Sequence, residues 1–172
     1  MILKPQAVVI LVKLQSLAGQ KWTYERLAYQ VKMSPSTVHT ELKFAAAVKL
    51  YEPVAQRPIN RNLLEFLVHG VKYAYPPEKK PGLVRGSPTS YAASPLVSMF
   101  PPGSEPVPVW PWSGGAVRGL GFEPLYGSVP ALAQEDPRFA EYMALIDAIR
   151  DGRPREAKAA VQELTKRLAP DA

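Results

Sequence analysis

The stretch Trp22-Thr-Tyr-Glu-Arg-Leu-Ala-Tyr-Gln-Val-Lys-Met-Ser-Pro-Ser-Thr-Val-His-Thr-Glu-Leu-Lys-Phe-Ala-Ala-Ala-Val-Lys-Leu50 decides how this chain reads. Thr23 places a hydroxyl where a helix needs an acceptor for its first unpaired N–H groups, with Glu25 and Arg26 in the opening turn. Leu27, Ala28 and Val31 then recur at helical spacing. Ser34-Pro35 restarts a helix after a short turn: the serine caps it, and the proline's missing N–H costs nothing in a first turn. Val38, Leu42 and Ala45 form the buried stripe of this second helix, 34–49. With Val38 and Leu42 inward, a step of about 100° per residue turns Ser36, Thr37, Thr40, Lys43 and Phe44 outward and leaves His39 on the flank.

An outward arc of hydroxyls and a lysine suits a major-groove reader, which needs donors and acceptors for base edges and cations for phosphates. Small residues at the helix start let the backbone approach a phosphate closely. Lys21, Arg26, Lys32, Lys49, Arg57 and Arg61 are the candidates for the surrounding backbone contacts. The segment resembles the helix-turn-helix of winged-helix transcriptional regulators, especially the broad MarR-like group, over roughly residues 5–50. The matching positions are Leu27-Ala28 in the first helix of the pair and Met33-Ser34 in the turn. Ser36-Thr37-Val38 follow at the start of the recognition helix, with Leu42, Ala45 and Leu50 as later anchors. The resemblance implies a DNA-binding domain in which Ser34, Ser36, Thr37, His39, Thr40 and Lys43 face the duplex. Two departures stand out. Lys49-Leu50 occupies the place of the usual Gly-Leu pair, and only Tyr51–Ile59 remains for the two-stranded wing, enough for an abbreviated or distorted hairpin. Arg57-Pro58 with Arg61, or Lys79-Lys80 and Arg85 folding back, are the expected substitutes for a wing contact. Val54 and Ile59 are expected to fill core.

Outward from this segment, a first helix is expected from Pro5 to about Leu17, with Gly19 at its end. A fourth helix should run from Arg61 to about Tyr75, where Pro76-Pro77 stops it. Its Leu63, Leu64, Phe66, Leu67, Val68 and Val71 leave little polar face, so it must pack on two sides or against a second chain.

Proline then changes the character of the chain. Residues 76–137 hold thirteen of the 19 prolines and eight of the 11 glycines, a density that forbids long helices. Pro101-Pro102 and Pro106-Val-Pro-Val-Trp-Pro-Trp112 favour polyproline II geometry. Met99, Phe100, Trp110, Trp112, Phe122, Leu125 and Tyr126 are nonetheless costly to leave in water. The expectation is an extended strap packing its aromatics over the helices, its own or a partner's; the alternative is a displayed proline-rich ligand. Gly114–Gly121 lacks the Lys-Ser/Thr of a nucleotide loop and reads as a turn. Beyond it, Asp136-Pro137 opens a helix with an apolar face of Phe139, Tyr142, Met143, Ile146 and Ile149. Pro154 opens another, with Ala157, Ala160, Val161, Leu164 and Leu168 in register. Asp136, Glu141 and Asp147 share their helix with Arg138 and Arg150 and read as surface ion pairs.

Three stretches follow: 1–75 a winged-helix-like helix-turn-helix domain, 76–134 a Pro/Gly-rich extended segment, 135–172 a C-terminal helical hairpin, mainly α throughout. The 172 residues hold no cysteine and only His39 and His69, which removes thiolate zinc, iron–sulfur and histidine-rich metal sites. No metal, cofactor or catalytic group is expected, since no nucleophile–base pair can be nominated and His69 reads as a structural residue within an apolar helix. No apolar run reaches the roughly 18 residues of a membrane span, and no signal peptide is indicated, so a cytoplasmic protein is expected. Of the net +6, residues 1–90 carry 13 Lys and Arg against 5 acids and the remainder 8 against 10, a basic head joined to a mildly acidic tail. The expected function is a regulator binding double-stranded DNA, as a homodimer, through helix 34–49. Because the same fold serves as a docking module, an antitoxin-like or defence-associated component holding a partner protein through the C-terminal helices stands as the alternative. A small-molecule-responsive regulator with a pocket under the strap is a third.

Overall fold

A computed structural model describes residues 2–101 and 103–169, so Pro102 of the expected polyproline stretch lies outside the described residues. The fold is mainly α. Helix α1 spans Pro5–Ser16, and every residue from Ala7 to Leu14 is buried, which is why its apolar residues run round all sides rather than along one stripe. Helices α2 (Tyr24–Val31) and α3 (Pro35–Ala47) are joined by three residues. Both start as the capping chemistry dictates. Thr23 Oγ1 accepts from the Arg26 N–H at 3.2 Å, and Ser34 Oγ accepts from the Thr37 N–H at 3.1 Å. Lys32 ends α2 in the left-handed conformation, with φ of 57°, and turns the chain toward α3.

After α3 the chain makes a two-stranded antiparallel hairpin, β1 (Tyr51–Glu52) and β2 (Arg57–Pro58), with Tyr51 opposite Pro58. The hairpin is as short as nine residues allow. Val54, expected in the core, is instead 94 % exposed at its tip, because a turn of four residues cannot fold a side chain back over such short strands. Ile59 is half-buried. Lys49, in the place of the missing glycine, takes the left-handed conformation itself, with φ of 66°, and the Asn62 side chain donates to its carbonyl at 2.7 Å. The expected single helix 61–75 is interrupted at Gly70, giving α4 (Asn60–His69) and α5 (Val71–Ala74). Leu63, Leu67 and Val71 are buried, Leu64, Phe66 and Val68 half-buried, and His69 is exposed rather than held within the packing.

The proline-rich stretch is more structured than a strap. β3 (Lys79–Pro88), β4 (Pro108–Pro111) and β5 (Val117–Phe122) close on one another: β3 pairs antiparallel with both others, and β4 pairs parallel with β5. A three-stranded ring has almost no lumen, so small residues must point inward. A Cβ on Gly86 would stand 2.1 Å from the Trp110 carbonyl oxygen, and one on Gly119 2.2 Å from that of Val107. Gly119 and Gly121, expected in a turn, are therefore strand residues. The end of the expected extended segment, residues 129–134, is instead helical and with Glu135 forms α6 (Val129–Glu135). The expected aromatic packing holds for Trp110, Phe122 and Leu125, which are buried, while Phe100, Trp112 and Tyr126 are half-buried and Met99 is exposed.

Helices α7 (Pro137–Asp151) and α8 (Pro154–Arg167) follow at the expected prolines. α7 is no appendage. Phe139 and every residue from Tyr142 to Arg150 are buried, in one hydrophobic core shared with α1, α3, α4, the strands and α8. Two acidic anchors fix it. At its start, Asp136 accepts from Lys13 Nζ and Ser16 Oγ of α1, each at 2.7 Å, as well as capping the Phe139 N–H. Near its end, Asp147 Oδ2 accepts from Thr89 Oγ1 and Trp110 Nε1, both at 2.7 Å, and Oδ1 accepts from Arg150 at 2.8 Å. The expectation of surface ion pairs is thus corrected for Asp147 and Arg150, whose side chains are 0 % and 1 % exposed. Their seclusion depends on strands that come from far along the chain. Glu141 pairs with Arg167 of α8. No helix among the described residues is long and apolar enough to cross a membrane.

Candidate nucleic-acid interface

α3 buries Val38, Glu41, Leu42 and Ala45 against α1 and α2 and turns its other side to solvent. Ser36, Thr40 and Lys43 are exposed there, and Thr37 and Phe44 are half-buried, so the ridge expected from helical phase is uncovered. Glu41, unassigned by sequence, is drawn inward, with its carboxylate 4.0 Å from the Lys4 ammonium. The arc therefore presents hydroxyls and one cation, free of the carboxylate that would repel a phosphate.

The ridge begins in a small hydroxyl cluster. Ser34 Oγ lies 2.8 Å from Thr37 Oγ1 and 3.2 Å from Ser36 Oγ, besides accepting the Thr37 N–H. Ser34 is thus chiefly a structural cap that orients its two neighbours, and Ser36 and Thr37 keep lone pairs and rotatable donors for a ligand. His39 is exposed on the flank, its ring edge-on to Tyr24 at 5.3 Å between centroids, and Tyr24 in turn meets Trp22 at 5.2 Å. This aromatic row, which the sequence reading passed over, braces the start of α2 against the exposed side of α3. The alternating Trp22 and Tyr24 beside the Thr23 cap were its only sequence signal.

Two of the expected cations meet. Lys21, from the turn before α2, and Arg57, from β2, line one cleft of about 280 Å³ together with Trp22 and Gln56, and the indole N–H of Trp22 donates to the Gln56 carbonyl at 3.3 Å. That bond ties the hairpin to the first turn of the helix pair. Arg26 on α2, Lys49 after α3 and Arg61 on α4 are exposed. Among the described residues none of Lys21, Arg26, Lys43, Lys49, Arg57 and Arg61 is in an ion pair. Lys32 differs: its ammonium sits 2.9 Å from Glu135 of α6, so it joins the helix pair to the rest of the molecule instead of standing free for a phosphate. Beneath the hairpin, burial pushes the Tyr51 hydroxyl up to about 12, helped by the nearby Tyr24 and Glu52, and it finds no hydrogen-bond partner among the described residues. It is core, not ligand.

No protein-family model, curated protein or solved structure matches this chain.

Proposed function

We propose that the chain is a DNA-binding transcriptional regulator of the winged-helix type, with α3 in the major groove and the short β1–β2 hairpin beside it. The observation that carries this reading is the uncovered Ser36–Thr37–Thr40–Lys43 ridge, flanked by exposed cations that no carboxylate among the described residues neutralises. An unpaired cation on a surface releases counterions when it meets a phosphate, so each contributes to affinity and to its salt dependence. The Lys21–Arg57 cleft supplies the phosphate contacts on the hairpin side, Arg26 and Arg61 those farther along the backbone. Ser36, Thr37, Thr40 and Lys43 read base edges. Because such proteins read two half-sites one helical turn apart, the active form is a homodimer on a pseudo-palindromic site.

The test is a selection from random duplexes followed by titration of the winning sequence at two salt concentrations. Lys43→Ala and Thr40→Ala should each weaken specific binding by about 1–3 kcal/mol where they touch base edges. Arg57→Ala should weaken all duplexes alike and flatten the salt slope by about one unit. Sedimentation of the complex should give two chains per site. If Lys43→Ala and Thr40→Ala bind as the parent does, α3 is not the reading helix.

A further inference from the structure

The solvent side of the three-stranded ring carries a constellation that the proposed DNA-reading surface of α3 and the β1–β2 hairpin does not include, although Arg85 within it was an expected substitute for a wing contact. Arg85 of β3 stands directly opposite Arg118 of β5, and Leu83 directly opposite Leu120. Opposed residues of an antiparallel pair share a face, and so do residues two apart along a strand, so all four side chains form one block. Both arginines are exposed, and each leucine is 47 % exposed. Trp112, whose backbone N–H donates to the Arg85 carbonyl at 3.2 Å, borders the block. Like charges set directly across a ladder destabilise it, and among the described residues neither arginine is in an ion pair that would relieve this.

We infer that this face is the docking surface for an extended acidic segment of a partner protein, one whose carboxylate and apolar side chains alternate two residues apart. The step from the arginine pair to the leucine pair is two strand residues, about 7 Å, which is the spacing of same-side residues in an extended peptide. Two guanidiniums across one rung grip a carboxylate with parallel N–H donors, and the leucine pair receives the apolar side chain that follows. Arginine and tryptophan are the residue types enriched at the centres of protein interfaces. The leucine pair argues against a nucleic-acid backbone, which offers it nothing apolar. A two-fold copy of this chain is disfavoured too, since it would set arginine against arginine. The strands pair with one another all round the ring, so the segment docks through side chains and adds no strand to an edge.

The probe is a peptide repeating Glu-Ser-Leu-Ser, titrated into the isotopically labelled full chain while amide resonances are followed. Saturable shifts confined to residues 83–87 and 116–120 are expected, and they should vanish when glutamine replaces glutamate in the peptide. Arg118→Glu should weaken binding about tenfold or more, the size of one charge-assisted pair. That variant should also melt no lower than the parent, because it replaces a like-charge rung by an opposite one; loss of binding is then not loss of fold. Absence of shifts at millimolar peptide, equal shifts with the glutamine peptide, or the same shifts on adding a single-stranded oligonucleotide would each overturn the inference.

Discussion

Helices α3 and α7 begin alike. In each a side-chain oxygen before the first turn accepts the N–H three residues on, Ser34 from Thr37 and Asp136 from Phe139, and in each a proline follows. From there they diverge. α3 buries one stripe and leaves its hydroxyl and lysine side in water, whereas α7 is buried on all sides from Tyr142 to Arg150. Asp136 also carries more than a cap. Burial pushes its carboxyl up, but the Lys13 ammonium, the Phe139 N–H and the Ser16 hydroxyl together hold it below the ordinary carboxylate range. A start signal is local, while the fate of a helix depends on how far its neighbours enclose it: α3 packs against α1, α2 and β1 on one side, whereas α7 is ringed by α1, α4, α5, α6, α8 and the segment following β3. A helix so enclosed must satisfy its polar side chains internally, as Asp147 does, and an open one can spend them on a ligand.

The sharpest way to break this contrast is at Asp147. Burial pushes its carboxyl up, against the pull of Arg150, Thr89 and Trp110. Asp147→Ala leaves the Arg150 guanidinium secluded without its counter-ion and should cost about 3–5 kcal/mol, read as a fall in the urea midpoint. A cost like that of a surface pair would mean that this cluster does not tie α7 to the strands. Asp136→Asn keeps a competent cap but removes the charge facing Lys13, and should cost about 2 kcal/mol at neutral pH. A carboxylate whose folded pKa lies below its unfolded one contributes stability that is complete above the unfolded value and is lost as the pH falls from there through the folded value. The parent should therefore lose thermal stability as the pH drops below about 4, and the asparagine variant should lack that part of the slope. Ser34→Ala, the same cap on the open helix, should cost about 1 kcal/mol with no such pH signature. The smallest expected effect is a gain: Arg118→Glu should stabilise the ring by about 0.2–1 kcal/mol, seen as a slightly higher Tm.

Legibility followed the same divide. Thr23, Ser34-Pro35, Asp136-Pro137 and Pro154 marked helix starts that the structure places within a residue of expectation, since a cap and its turn lie within a few residues of one another. The exposed positions Ser36, Thr40 and Lys43 followed from helical phase alone. The ion pair of Lys32 with Glu135, the seclusion of Asp147 and the exposure of Val54 did not, because each depends on what a distant segment covers or fails to cover. The ring of β3, β4 and β5 was the largest omission. Its glycines and prolines look like those of a linker, and only the close approach of Gly86 to the Trp110 backbone reveals that they are there to let strands touch.

By itself the order of residues determined where the helices begin, which side of α3 is apolar, and that the basic charge gathers in residues 1–90, all consequences of bonding and periodicity within a turn or two. Which helix is enclosed, which acid meets which base across more than 100 residues, as Lys13 meets Asp136, and which face of the proline-rich stretch looks outward were decided only when the chain closed on itself. Burial and pairing are properties of neighbours, and neighbours far apart along a chain leave no periodic mark in it.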